Sequence, residues 1–73
     1  MRLIPLKPLQ IIKILKKLGF EPIRQRGSHI YFRHLDGRAT VVPFHKGEDI
    51  SRGLLKKIVQ DIDMKWNEFI SYK

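Results

Sequence analysis

Between Arg24 and His34 the chain reads Arg-Gln-Arg-Gly-Ser-His-Ile-Tyr-Phe-Arg-His, and most of the side chains that could do chemistry lie in this stretch. The planar guanidinium groups of Arg24, Arg26 and Arg33 match the oxygens of a phosphate. His29 can carry a proton near neutral pH. Tyr31 offers a flat surface on which an unpaired base can stack. Ser28 and the backbone N–H groups of Gly27 and Ser28 can donate hydrogen bonds to an anion. Such a set would suit RNA. A histidine beside a turn is nonetheless more often structural than reactive, and arginines on an exposed strand also serve to discourage edge-to-edge aggregation. The spacing has to say which side chains share a surface.

Gly27-Ser28 separates two runs of alternating polarity, and a leading glycine fits a type II′ hairpin turn. A two-residue loop there pairs Arg26 with His29, Gln25 with Ile30, Arg24 with Tyr31, Ile23 with Phe32 and Pro22 with Arg33. Directly opposed residues share a face, and neighbours along a strand alternate. Arg24, Arg26, His29, Tyr31 and Arg33 therefore fall on one face. Ile23, Gln25, Ile30 and Phe32 fall on the other. A second tight turn at Asp36-Gly37, of type I′, would pair Phe32 with Val41 on the core side and Tyr31 with Val42 on the open side. A slip of one residue would press the arginines against the core.

The elements that must hold this hairpin are legible on either side of it. Pro8 suits the first turn of a helix. Leu9, Ile11, Ile12, Leu15 and Leu18 then form an apolar stripe, and Gly19 follows as a helix terminator, so a helix is predicted over Pro8–Leu18. Met1 to Lys7 is an irregular lead-in. Three strands follow, within Phe20–Arg26, His29–His34 and Ala39–Phe44. After a polar loop, Ser51 is a helix N-cap, with Leu54, Leu55, Ile58, Val59 and Ile62 as the buried stripe. Asp63 could cap a short third helix carrying Trp66, Phe69 and Ile70. The predicted fold class is α+β. It is a two-layer α-β-β-β-α sandwich, with a three-stranded antiparallel sheet covered on one face by helices and a possible short C-terminal helix.

With 73 residues, the chain is expected to form a single domain spanning 1–73. A domain of this size buries only roughly 60% of its unfolded surface, so chemistry belongs on an open face rather than in an enclosed cavity. Fifteen Lys+Arg against seven Asp+Glu give a net charge of +8, which draws polyanions: nucleic acid, an anionic membrane or an acidic protein. The absence of cysteine removes disulfides, a thiolate nucleophile and cysteine zinc sites together. His29, His34, His45 and Asp36 match no known metal-ligand spacing, so no metal and no cofactor are expected. Without a secretory leader or an apolar run near the ~18 residues of a membrane span, a soluble cytoplasmic protein is the default.

Taken in order, these residues resemble a known family. Gly19-Phe20 ends the first helix, and Arg24-Gln25-Arg26-Gly27-Ser28-His29 forms the turn. Val42-Pro43-Phe44-His45 follows, then a polar loop and a helix opening Gly53-Leu54-Leu55. This set, from Leu9 to about Met64, is similar to the HicA, or YcfA-like, mRNA-interferase toxins, whose fold is like that of double-stranded-RNA-binding domains. The resemblance implies a type II toxin that cleaves mRNA, inhibits translation and growth, and is silenced by a HicB-like antitoxin. It also implies that His29 is the catalytic residue. In metal-free cleavage the substrate's own 2′-OH attacks, so His29 would take a proton while Arg24, Arg26 and Arg33 hold the phosphate. His45 could serve as a second acid or base, and Lys46 as a phosphate ligand, if their loop folds toward the turn. The rival reading is a non-catalytic RNA-binding module of the same fold. A third is an interaction protein whose charge serves only an acidic partner.

Overall fold

The computed structural model describes residues 3–73, so Met1 and Arg2 of the expected lead-in lie outside the described residues. Helix α1 spans Pro8–Lys17, with proline at its first turn. The Gln10 side-chain oxygen accepts the Lys7 N–H at 2.9 Å, satisfying one donor of that turn. At the other end Gly19 has φ +95°. The Phe20 N–H reaches Leu15 O at 2.9 Å, and the Gly19 N–H reaches Lys16 O at 3.1 Å. This is a Schellman closure, and it turns Phe20 back into the core. The buried stripe is Pro8, Ile11, Ile14 and Leu15. The expected stripe therefore needs two corrections: Ile14 belongs in it, and Leu9, 67% exposed, does not. At 3.6 residues per turn, Leu9 points almost opposite to Ile11.

Three antiparallel strands follow in the order β1-β2-β3. They are β1 (Glu21–Arg26), β2 (His29–Arg33) and β3 (Ala39–Pro43). The first hairpin closes as its spacing predicts, with Arg26 opposite His29, Gln25 opposite Ile30 and Arg24 opposite Tyr31. Gly27 has φ +59°, the leading position of a II′ turn. Beyond Arg24 the expected pairing fails. The register shifts between Pro22 and Arg24, so that Pro22 faces Phe32, Glu21 faces Arg33, and Ile23 is bulged out of the ladder. Proline cannot donate to the ladder, and a bulge beside it is a common remedy. Ile23, expected on the core side, is 58% exposed. All six residues of β1 are exposed, because α1 and α2 pack mainly against β3 at the other edge of the sheet.

The second hairpin differs from the expected type I′ turn. Its loop has three residues, Leu35-Asp36-Gly37, closed by His34 N–H to Arg38 O at 2.8 Å and Gly37 N–H to His34 O at 3.0 Å. Gly37, with φ +99°, takes the left-handed position that such a loop requires. The extra loop residue moves the register by one. Phe32 faces Thr40, Tyr31 faces Val41 and Ile30 faces Val42. Val42 is thus fully buried and Val41 lies beside Tyr31, the reverse of the expected assignment. Thr40 is buried on the core side, where its hydroxyl donates to Asp61 Oδ2 at 3.0 Å.

Helix α2 spans Arg52–Asp61, and the Ser51 hydroxyl caps the Leu54 N–H at 3.4 Å. Leu55, Ile58, Val59 and Ile62 are buried from it. Asp63 ends this helix rather than starting the next: it has φ +56°, and the Met64 N–H returns to Val59 O at 3.2 Å. Helix α3 (Trp66–Ile70) starts instead from Lys65, whose N–H donates to Glu68, and it inserts Phe69 into the core. In the lead-in, Leu6 is buried and its carbonyl accepts the Ile50 N–H at 2.7 Å. The helices line one face of the sheet in a slab 17 Å thick, the depth of two layers.

Candidate nucleic-acid interface

The uncovered sheet face carries Arg24, Arg26, His29, Tyr31 and Arg33, as the first hairpin's pairing requires. At the turn end, His29 is exposed, with Arg26 opposite it on β1 and Pro43 opposite it on β3. One pair further along, the Arg24 guanidinium lies 4.7 Å from the centre of the Tyr31 ring. That stacking holds a cation against an aromatic face without consuming its hydrogen-bond donors. Val41 sits on the other side of Tyr31. Arg33 shares the face but not the neighbourhood. It is four residues along β2 from His29, roughly 13 Å at strand rise, and it faces Glu21.

The loop after β3 folds back onto the turn. The Phe44 N–H donates to Ser28 O at 2.6 Å, extending the ladder past the end of β3. The next residue, His45, brings its Nε2 to 3.4 Å from Ser28 Oγ. The Glu48 N–H closes on His45 O at 3.0 Å, and Gly47 takes φ +81°, so the loop forms a tight bend. Lys46 projects from that bend, exposed. Two histidines thus meet at Ser28: His29 follows it in the chain, and the His45 ring touches its hydroxyl. The separation of seventeen residues between Ser28 and His45 gives no local signal of this contact in the sequence.

His34 and Arg38, at the opposite end of β2, belong to a structural cluster instead. His34 stands edge-on to Phe20 at 5.1 Å between ring centres, and its Nδ1 accepts the Asp36 N–H at 3.1 Å. The Arg38 guanidinium lies over the Phe20 ring, 5.1 Å from its centre, and donates to Ile62 O at 2.6 Å and Asp36 Oδ2 at 2.8 Å. The Arg38 backbone N–H, helped by its guanidinium and by His34, outweighs desolvation and holds the Asp36 carboxyl below the usual carboxylate range. Among the described residues, no three His, Asp or Glu side chains come together as a metal site would need. Among the same residues, no helix is long and apolar enough to cross a membrane.

The element order, the one-sided helix layer and the arginine-rich open face define a small α+β protein like the double-stranded-RNA-binding domains. A family model described as the HicA toxin of bacterial toxin–antitoxin matches residues 10–64. The chain belongs to that family, which makes it the toxin of a toxin–antitoxin pair. No curated protein matches the chain.

Proposed function

We propose that this toxin is an endoribonuclease that cuts mRNA at the Gly27–His29 turn and needs neither metal nor cofactor. Cleavage would halt translation in the cytoplasm. The reaction is a transesterification. The substrate's 2′-OH attacks the adjacent phosphorus, His29 takes the hydroxyl proton, and the P–O5′ bond breaks to leave a 2′,3′-cyclic phosphate. The leaving 5′-oxygen takes a proton from a second group, for which His45 is the candidate within reach of the turn. Arg26 and Arg24 hold the phosphoryl oxygens as charge builds on them, with the N–H groups of Gly27 and Ser28 and the Ser28 hydroxyl as further donors. Tyr31 takes a neighbouring base, and Lys46 and Arg33 contact phosphates further along the strand. An antitoxin of the HicB type would silence the enzyme by covering this face.

The observation that carries the reading is the pairing of the exposed His29 with Arg26, one turn residue away from the Ser28–His45 contact. The test is His29→Ala. The side chain is exposed, so the fold should survive, while cleavage in EDTA falls by the 10²–10⁴-fold typical of a lost acid or base. Growth arrest on induction should vanish with it. Wild-type protein that binds RNA but never cuts it would make the chain a binding module; unchanged cutting by His29→Ala would remove His29 from the reaction.

A further inference from the structure

Leu9 is an apolar side chain on α1 that the core does not use. It lines a hollow with Pro8 and Lys7 on one side and the loop residues Phe44, His45 and Lys46 on the other. Phe44 is half-exposed, so part of its ring is open to that hollow. A single exposed leucine needs no explanation. Here, however, it shares a cleft with an aromatic ring, and the rest of the lining is of mixed charge, with Lys7 and Lys46 against Glu48 and Asp49. The cleft also shares its His45 wall with the turn, because His45 touches Ser28. The loop that forms the far wall is held in place by Phe44 N–H to Ser28 O and by the left-handed Gly47.

We infer that this hollow is a subsite for one unpaired nucleobase of the RNA strand, next to the phosphate held at Gly27–His29. The inference rests on the proposed RNA substrate. Phe44 and Leu9 offer apolar and aromatic surface for the faces of a base, as sequence-tolerant single-strand sites do. Glu48 and Asp49 in the lining disfavour a phosphate inside the hollow and so favour the uncharged base as its occupant, while Lys7 and Lys46 are the cations available to the phosphates on either side. A base seated there pins the strand beside His45, so the scissile phosphate cannot slide along the sheet face. Specificity for single-stranded over paired RNA follows, since a base in a duplex is unavailable to enter.

The test compares binding of two short strands by fluorescence anisotropy: an oligoribonucleotide made uncleavable by 2′-deoxy substitution, and the same sugar–phosphate backbone without bases. Wild-type protein should prefer the strand with bases by at least about 10-fold, the range expected of one or two stacked bases. In Leu9→Ser, whose exposed position protects the fold, that preference should shrink several-fold while binding of the base-free strand stays the same. Phe44→Ala should act in the same direction. Equal loss for both strands, or no loss for either, would overturn the subsite. The outcome is separable from the nuclease reading, because binding is read without cleavage. Cutting by wild type with no base preference sinks the subsite alone, and base-dependent binding without cutting sinks the reaction alone.

Discussion

Ser28 Oγ lies 3.4 Å from His45 Nε2, although seventeen residues separate them in the chain. The contact is made by the loop after β3, which hydrogen-bonds to the turn at Ser28 O before delivering His45. It brings a second histidine to the turn that carries His29. If His45 protonates the leaving oxygen, His45→Ala should lower kcat by the 10²–10⁴-fold of a lost general acid, with KM little changed. Ser28→Ala should cost less, about 10-fold, because it removes one neutral hydrogen bond and leaves both imidazoles in place. Rates on a defined oligonucleotide separate these outcomes. A His45→Ala enzyme with wild-type kcat would return that residue to a structural role.

The register of the second hairpin is open to a direct check. Val42 is fully buried and Val41 is half-exposed beside Tyr31. Val42→Ala should therefore destabilise the fold by about 2 kcal/mol, from two lost methyl groups and the cavity they leave. Val41→Ala should cost about 0.5 kcal/mol or less. Urea denaturation of the pair decides it; the reverse order would restore the tight Asp36-Gly37 turn.

Gly19 closes α1 and also admits His34. An alanine Cβ there would lie 3.0 Å from His34 Nε2, on a residue with φ +95°. Strain and crowding act together, so Gly19→Ala should destabilise by about 1–2 kcal/mol. Because this position lies at the other end of the sheet from the turn, the folded variant should cleave RNA at the wild-type rate. A stabilising effect by thermal denaturation would contradict the Schellman closure.

Asp36 gives the fold a pH dependence of known sign. Arg38, chiefly through its backbone N–H, lowers the folded-state pKa of this carboxyl. The stabilisation is therefore fully present above the ordinary carboxylate pKa and is lost as pH falls through the lower, folded value. Asp36→Asn should be less stable than wild type at neutral pH, and the gap should close in acid. The carboxyl is exposed and the gap correspondingly small. A gap that widens in acid would reverse the assignment.

Much of the candidate site could be read from the chain because short-range chemistry fixed it. A glycine-led two-residue turn allows one pairing, and that pairing places Arg24, Arg26, His29 and Tyr31 on a single face. The helix stripes, the Ser51 cap and the terminating Gly19 are likewise local, each set by residues within a turn or two of one another. The order of motifs from Gly19 to Leu55 was enough to suggest the family. Local chemistry leaves open the choice between close alternatives. Asp36-Gly37 suits a two-residue turn and a three-residue loop equally well on composition. Burial of Val42 and Thr40 against α2, with the Thr40–Asp61 hydrogen bond, selects the second. Ile23 is apolar and alternates correctly, but the bulge beside Pro22 takes it out of the ladder, and the helices pack mainly against β3 and leave β1 exposed.

The amino-acid sequence by itself determined the α-β-β-β-α order, the basic open face and the turn that presents His29, because each follows from periodicity, turn chemistry or charge within a few residues. Only the tertiary structure decided that His45 meets Ser28, that Leu9 lines a surface hollow with Phe44 instead of entering the core, and that Val42 rather than Val41 is buried. Those contacts join segments far apart in the chain, and they are settled by how the layers pack and where loops can close, which no local pattern encodes.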